Sequence, residues 1–417
     1  MKDIFCPADI LIPADVDMQK WSVVACDQFT SEPEYWEQAV SLTEGAPSAL
    51  RLMLPEAWLE RPESENAGER IAAEMSRYLS AGLFRELKQS MVYVERKQSD
   101  GRVRRGLVGA IDLEAYDYSS ASTSPVRATE GTVESRLPPR VAVRSLAPLE
   151  MPHVMVLADD PEKLVIEALA EKKPSMEKLY DFYLMLGGGH LTGWLVSGKV
   201  LEETIAALDE LGSPEALKRR YGDVQYPMLF AMGDGNHSLA TAKLCWERIR
   251  STLSPAELEP CPARYGLVEL VNVHDEAIDF EPIHRVLFDT NADAFLEEAA
   301  HFWKAHSGSG HTIGLTAGRE SLHLDVSGFT IGQLIGAAED FCQSFLKKYG
   351  GRIDYVHGTE TAEELGRQPG CCAVLLPAMD KSELFPSVMR SGAFPRKSFS
   401  IGHAPDKRYY LECRRIR

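Results

Sequence analysis

The stretch Pro227-Met228-Leu229-Phe230-Ala231-Met232, then Gly233-Asp234-Gly235-Asn236-His237-Ser238, then Leu239-Ala240-Thr241-Ala242-Lys243-Leu244-Cys245-Trp246-Glu247-Arg248 decides how this chain is read. An apolar run of strand length meets a polar, glycine-bearing turn, and an amphipathic helix pattern follows. A strand, a glycine turn and a helix in that order form a ready anion site. The first amides of a helix have no intrahelical acceptor, and the helix dipole favours negative charge there. Gly235 lets the backbone approach a phosphate closely, and Asn236, His237 and Ser238 add hydrogen-bonding groups. Asp234 would repel a bare anion, but fits the turn if it holds Mg²⁺ or takes a proton from a substrate hydroxyl. A plain turn in which Asp or Asn caps the helix fits the same residues. The turn is neither a Walker A loop nor a GxGxxG fingerprint, since Gly233 and Gly235 lack the third glycine.

Outward from this stretch, short β-like runs alternate with amphipathic helices and no internal repeat appears, the pattern of a mixed α/β or α+β chain. Trp21–Cys26 reads as a buried strand. A helix follows at Pro33, with Ser31 and Glu34 spaced as a capping box. Glu69–Leu87 predicts one long helix, and Met91–Arg96 with Arg104–Ile111 predicts a hairpin around Ser99-Asp100-Gly101. Residues 119–140 are rich in Ser, Thr, Pro and Arg, as a linker or a functional loop would be. Pro152–Ala158 predicts a strand, Pro161–Lys173 a helix, and Leu201–Leu211 and Pro214–Tyr221 two more. Tyr265–Val273 predicts a strand, and Gly332–Tyr349 a helix.

The chain has 417 residues, 45 Lys+Arg and 62 Asp+Glu, a net charge of −17 that argues against a general nucleic-acid binder. No apolar run approaches the roughly 20 residues of a bilayer span. The start Met1-Lys2-Asp3-Ile4-Phe5-Cys6 lacks the basic and apolar regions of a leader. The eight Cys include no CxxC pair and read as small buried hydrophobes in a reducing compartment. A cytoplasmic protein acting on a small molecule is expected, with no membrane and no nucleic-acid partner.

Other residues compete for chemical roles. Glu130, in Thr129-Glu130-Gly131-Thr132, suits an acid/base or a metal ligand, or is a solvated carboxylate. His284-Arg285 after Pro282 suits a phosphate or is an ordinary surface pair. Arg396-Lys397-Ser398 suits an anion or a solvated face. His190 beside three glycines reads as a turn histidine, and His357-Gly358-Thr359-Glu360 as a loop.

Three blocks then carry a resemblance: Asp27-Gln28-Phe29-Thr30-Ser31-Glu32-Pro33-Glu34-Tyr35-Trp36, Gly233 to Lys243, and Lys407-Arg408-Tyr409-Tyr410-Leu411-Glu412. Together they resemble the bacterial family catalogued as domain of unknown function 1015, in order over nearly the whole chain. The Asp-Gly-x-His turn is more distantly similar to the signature turn of the ParB/sulfiredoxin-like fold, which includes nucleotide-dependent free-serine kinases. That resemblance implies a central ParB/sulfiredoxin-like domain over 119–289, flanked by α/β segments over 1–118 and 290–417. It also implies phosphate binding by Gly235, Asn236 and Ser238, with Asp234, His237 and, from an earlier segment, Glu130 in the chemistry. Many relatives have Arg where this chain has Ser238. Lys243, Arg285 or Lys397 would then supply the missing charge.

The reading is a nucleotide-dependent small-molecule kinase using ATP or ADP with Mg²⁺, Asp234 being the metal ligand and a serine-like hydroxyl the acceptor. The alternative is a nucleotide-binding regulatory protein with little or no turnover.

Overall fold

The computed structural model describes residues 3–417; Met1 and Lys2, which open the segment read for a leader, lie outside them. The hairpin expected around Ser99-Asp100-Gly101 forms as Phe84–Lys97 against Val103–Asp112, with Val92 opposite Val108. Its turn closes on Asp100, whose Oδ1 accepts from the Arg102 amide at 2.9 Å. Val92, Val94 and Val108 are buried on one face, as alternation requires. The long strand is bent at Gln89 (φ 41°), where the register against Ala8–Pro13 slips and Asp9 Oδ1 accepts the freed amide at 2.9 Å.

This hairpin lies within a mixed sheet of 13 strands among the described residues. Along its main path the order is Tyr116–Asp117, Val126–Arg127, Phe230–Asp234, Met155–Ala158, Tyr265–Asn272, Val103–Asp112, Phe84–Lys97, Ala8–Pro13, Cys413–Arg415 and Leu149–Glu150; Phe5–Cys6, Lys178–Tyr183 and His190–Val196 pair off this path. Phe230–Asp234 runs parallel to Val126–Arg127 and antiparallel to Met155–Ala158. A second, six-stranded sheet holds Phe280–Phe288 between Arg352–His357 and Cys372–Leu375, with Phe399–Ile401 added along Phe280–Pro282. The helix Ile331–Tyr349 covers this sheet beside Ala292–Trp303. Phe341 and Phe345 meet Phe295 there at 5.6 and 5.3 Å between ring centres. Its start carries the capping box Thr330/Gln333.

The fold class is mixed α/β, as expected. The sheets do not follow the three blocks drawn on the sequence. Strands from 1–118 and 119–289 share the larger sheet, Cys413–Arg415 returns to it from the far end, and Phe280–Phe288 belongs to the smaller one.

Several local expectations are corrected. The helix expected over Glu69–Leu87 is Ala67–Ser80, because Gly82 (φ 67°) turns the chain into the strand that starts at Phe84. Of Pro161–Lys173 only Leu169–Lys172 is α-helical. Trp21 closes a short helix, and only Val23–Val24 is strand. The helix Pro33–Leu42 starts at Glu32 without a side-chain cap, so no Ser31/Glu34 box forms. His284 and Arg285 are not a surface pair, since both are buried inside a central strand. His357 closes a strand instead of sitting in a loop.

Cys245, Cys342, Cys371, Cys372 and Cys413 are buried and every Cys is free, as small hydrophobes would be. No helix among the described residues is long and apolar enough to cross a membrane.

Candidate functional site

The turn after Phe230–Asp234 is shaped by Gly235. Its φ is +78°, and a Cβ there would lie 3.0 Å from Val154 Cα, so glycine answers both demands. The helix Asn236–Arg250 starts at this glycine with no side-chain cap. The amides of Asn236 and His237 are therefore left without an intrahelical acceptor. Asp234 Oδ1 accepts the Gly235 amide at 2.8 Å, and the Asn236 side-chain oxygen is buried with no hydrogen-bond partner. His237 Nε2 accepts from the Val133 amide at 3.3 Å, so its proton sits on Nδ1. Burial, with Arg140 and Arg136 nearby, pushes its pKa down to about 4. His237 is therefore neutral near pH 7, with Nε2 engaged by the Val133 amide.

The polar segment 119–140 is not a linker. Val126–Arg127 adds to the sheet edge, and Thr129 Oγ1 donates to the Met232 carbonyl at 2.7 Å. Glu130 is thereby laid beside the turn. Its carboxylate accepts the Lys397 amide, and burial pushes its pKa up against the opposing Lys397 and Arg396 charges. A half-buried carboxylate with a raised pKa beside a phosphate-type turn suits a general base.

The last part of the chain supplies the cations. Lys397 takes φ 55°, and its ammonium lies over the Tyr355 ring at 4.7 Å. Arg285 is fully buried away from the cavity. It donates to the Lys397 carbonyl at 3.1 Å and to Glu339 at 3.2 Å, and so holds the loop at Lys397. Lys243 donates to the Leu113 carbonyl at 2.9 Å, along the helix and away from the turn. Lys243 and Arg285 are thus both engaged with other groups. Lys407 Nζ lies 3.2 Å from Asp234 Oδ2, and Arg140, paired with Glu56, lines the compartment at the turn.

Lys407 is held by a buried scaffold. Arg96, paired with no carboxylate among the described residues, donates to the carbonyls of Pro405 (2.8 Å) and Lys407 (3.4 Å). Burial pulls its pKa down to about 10. Next along the chain, Arg408 binds Glu269 at 2.8 Å and Glu412 at 2.7 Å. Tyr409–Tyr410 pairs with Val23–Val24, and the Tyr35 and Tyr409 hydroxyls meet at 3.5 Å. Phe29 stacks on Tyr35 at 3.8 Å between ring centres. The two outer blocks of the family resemblance thus meet beside the third.

Asp27 and His153 form a second wall. His153 Nδ1 meets the Tyr410 hydroxyl at 2.9 Å, and its Nε2 lies 3.8 Å from Asp27 Oδ2. Burial alone would raise the Asp27 carboxyl. His153, the Gln28 amide and Lys407 outweigh it and hold it below the usual carboxylate range.

The groups line neighbouring cavities that share wall residues. A polar compartment of about 160 Å³ is lined by Asp27, Glu130, Arg140, His153 and the 234–238 turn. A second, about 200 Å³, continues past Asp234 and Asn236 to His357, Lys397, Phe399 and Lys407. The other side opens past Ser238 and His153 into an apolar cavity of about 190 Å³. Of the expected site residues, Glu130, Asp234, Gly235, Asn236, His237, Ser238 and Lys397 come together here. Lys407 and Asp27 lie in sequence blocks already singled out, but nothing local marked them as site residues. Arg140 closes the polar 119–140 segment and His357 opens a stretch that reads as a loop, while His153 had no local signal.

The chain matches the family described as Protein of unknown function (DUF1015) over residues 11–335. No curated protein matches it in sequence. Among solved structures it is similar to C-terminally truncated SbnI from Staphylococcus aureus (TM-score 0.37, 9% identity, 71% of this chain and 82% of that one). It is also similar to a conserved hypothetical protein from Pyrococcus furiosus (0.32, 9%, 72% and 90%) and to a free serine kinase in complex with AMP (0.35, 9%, 72% and 90%). Similarities this low leave the chemistry to be read from the residues of the site.

Proposed function

Because the chain belongs to the DUF1015 family, whose description assigns no reaction, we propose from the chemistry of the site that it is a nucleotide-dependent small-molecule kinase. The observation that carries this reading is the meeting, at one helix start, of free amides, the Lys407 ammonium and the half-buried carboxylate of Glu130. The phosphates of ATP or ADP lie against the amides of Asn236 and His237, where Gly235 permits close approach. Lys407, now on Asp234, turns to the transferred group and neutralises its charge. The acceptor hydroxyl gives its proton to Glu130 as its oxygen bonds to the terminal phosphorus. The bond from that phosphorus to the bridging oxygen breaks, and the shortened nucleotide leaves with the electron pair. Such transfer needs positioning and charge more than covalent help from the protein.

A Mg²⁺ ion takes many of its ligands from phosphate and water, so one or two carboxylates suffice, and Asp234 and Glu130 are hard oxygen donors of the right kind. Bound there, it would neutralise phosphate charge. The turn's resemblance to that of the ParB/sulfiredoxin-like kinases points the same way.

The test is phosphorus NMR with Mg²⁺ and ATP or ADP, with and without a pool of hydroxyl-bearing amino acids. A new phosphomonoester signal that needs both nucleotide and acceptor supports the reading. Full transfer by both Asp234→Ala and Glu130→Gln would end it. One observation favours a nucleotide-binding protein without turnover: the Lys397 amide already occupies the Glu130 carboxylate. Saturable nucleotide binding with no product under any acceptor would select that alternative.

A further inference from the structure

The apolar cavity beside the turn is larger than a packing defect and has a definite chemistry. Leu52, Met53, Met75, Val143, Met151 and Leu267 contribute to its wall. At about 190 Å³ it exceeds what a close-packed interior leaves by chance. The polar side chains around it are engaged with one another. Arg144 binds Glu150 at 2.6 Å, Glu150 also accepts from Arg414 and the Leu267 amide at 2.8 Å each, and Thr241 Oγ1 donates to the His237 carbonyl at 2.7 Å. The Tyr410 hydroxyl is taken by His153 and the Cys26 amide. Little is left there to read the hydrogen-bonding edges of a base.

The mouth is different. Glu56, Arg140, His153 and Ser238 line both the cavity and the polar compartment, and Asn236, whose buried side-chain oxygen has no hydrogen-bond partner, lines the compartment beside them. We infer that this cavity holds the apolar body of an amphipathic small molecule, with its hydroxyl end at the start of helix Asn236–Arg250. The ligand class is an aliphatic compound bearing a hydroxyl, seated tail-first. This rests on the kinase reading in one respect only, that the seated molecule is the phosphoryl acceptor. The nucleotide base then lies on the opposite side, toward Phe399 and His357.

The probe is the series of n-alkan-1-ols from butanol to octanol, titrated into the full chain carrying ¹³C-methyl methionine. The expected result is a shift of the Met53, Met75 and Met151 methyl signals. Affinity should rise about fourfold per added methylene, the ~0.8 kcal/mol of a buried CH₂. Ala147→Phe and, separately, Val143→Phe fill the cavity and should weaken octanol at least tenfold while AMP binding is unchanged. Flat affinity along the series, or no shift at the three methionines, overturns the inference. Displacement of octanol from these methionines by AMP also overturns it, because the cavity would then be the base pocket. Alkanol binding at these methionines with no phosphomonoester formed from any hydroxyl-bearing acceptor in the presence of nucleotide would uphold the cavity and end the kinase reading, so the two failures are separate.

Discussion

Lys407 Nζ lies 3.2 Å from Asp234 Oδ2, joining the last part of the chain to the turn that starts helix Asn236–Arg250. Both side chains are largely buried, so the pair is screened less than a surface salt bridge. In the proposed reaction this ammonium is the cation that Ser238 does not supply. Lys407→Met should weaken binding of Mg²⁺-ADP roughly 10- to 150-fold, the ~1.5–3 kcal/mol of a hydrogen bond to a charged group. Calorimetric titration of the folded variant measures it. Unchanged affinity would remove Lys407 from the site.

Gly235→Ala tests the turn itself. A side chain at φ +78° costs about 1–2 kcal/mol, and the new Cβ also meets Val154 Cα at 3.0 Å. Urea unfolding should show at least that loss, with nucleotide affinity falling further as the first amides swing out of line.

Arg285→Met separates support from contact. The buried guanidinium holds the Lys397 carbonyl and Glu339, so its loss should lower stability by about 2–3 kcal/mol. Nucleotide affinity should drop less than it does in Lys407→Met. A larger effect on binding than on the urea midpoint would mean that Arg285 reaches the ligand.

The acid limb of stability should trace to buried neutral histidine. His284 Nδ1 accepts the Leu376 amide at 3.1 Å, and burial beside Arg285 pushes its pKa from 6.5 to about 4. Between those pH values the unfolded chain binds a proton that the folded His284 refuses. Its contribution is therefore whole above pH 6.5 and drains away as pH falls through 4. Urea midpoints taken across this window should fall with pH in the native chain and fall less in His284→Asn. His237, lowered to about 4 for similar reasons, adds to the same limb.

What the sequence disclosed follows from how local each signal is. The run Phe230–Asp234, the glycine and the helix to Arg250 are contiguous, so periodicity and turn chemistry suffice to find them. Pro214–Tyr221 is bracketed by Ser213 and Gly222, and its bounds read directly. The helix before Phe84 was overextended because Phe84-Arg85-Glu86-Leu87-Lys88 has good helix formers in a helical spacing. Pairing with Ala8–Pro13, far away in the chain, makes it a strand. Lys407, Asp27, His153 and Arg140 reach the turn only through the tertiary fold. Arg285 looked like a phosphate ligand because sequence shows charge but not the strand that buries it.

The position of Cys413–Arg415, hydrogen-bonded between Ala8–Pro13 and Leu149–Glu150, has a consequence for assembly. Translation delivers this strand after everything it pairs with, and Lys407 arrives only a few residues earlier. Until then the edge of Ala8–Pro13 has its backbone groups open to other chains, and the turn at Asp234 lacks its cation. A growing chain would therefore be exposed to sheet-edge association and without its lysine over the same interval, and the arrival of one short strand would end both conditions.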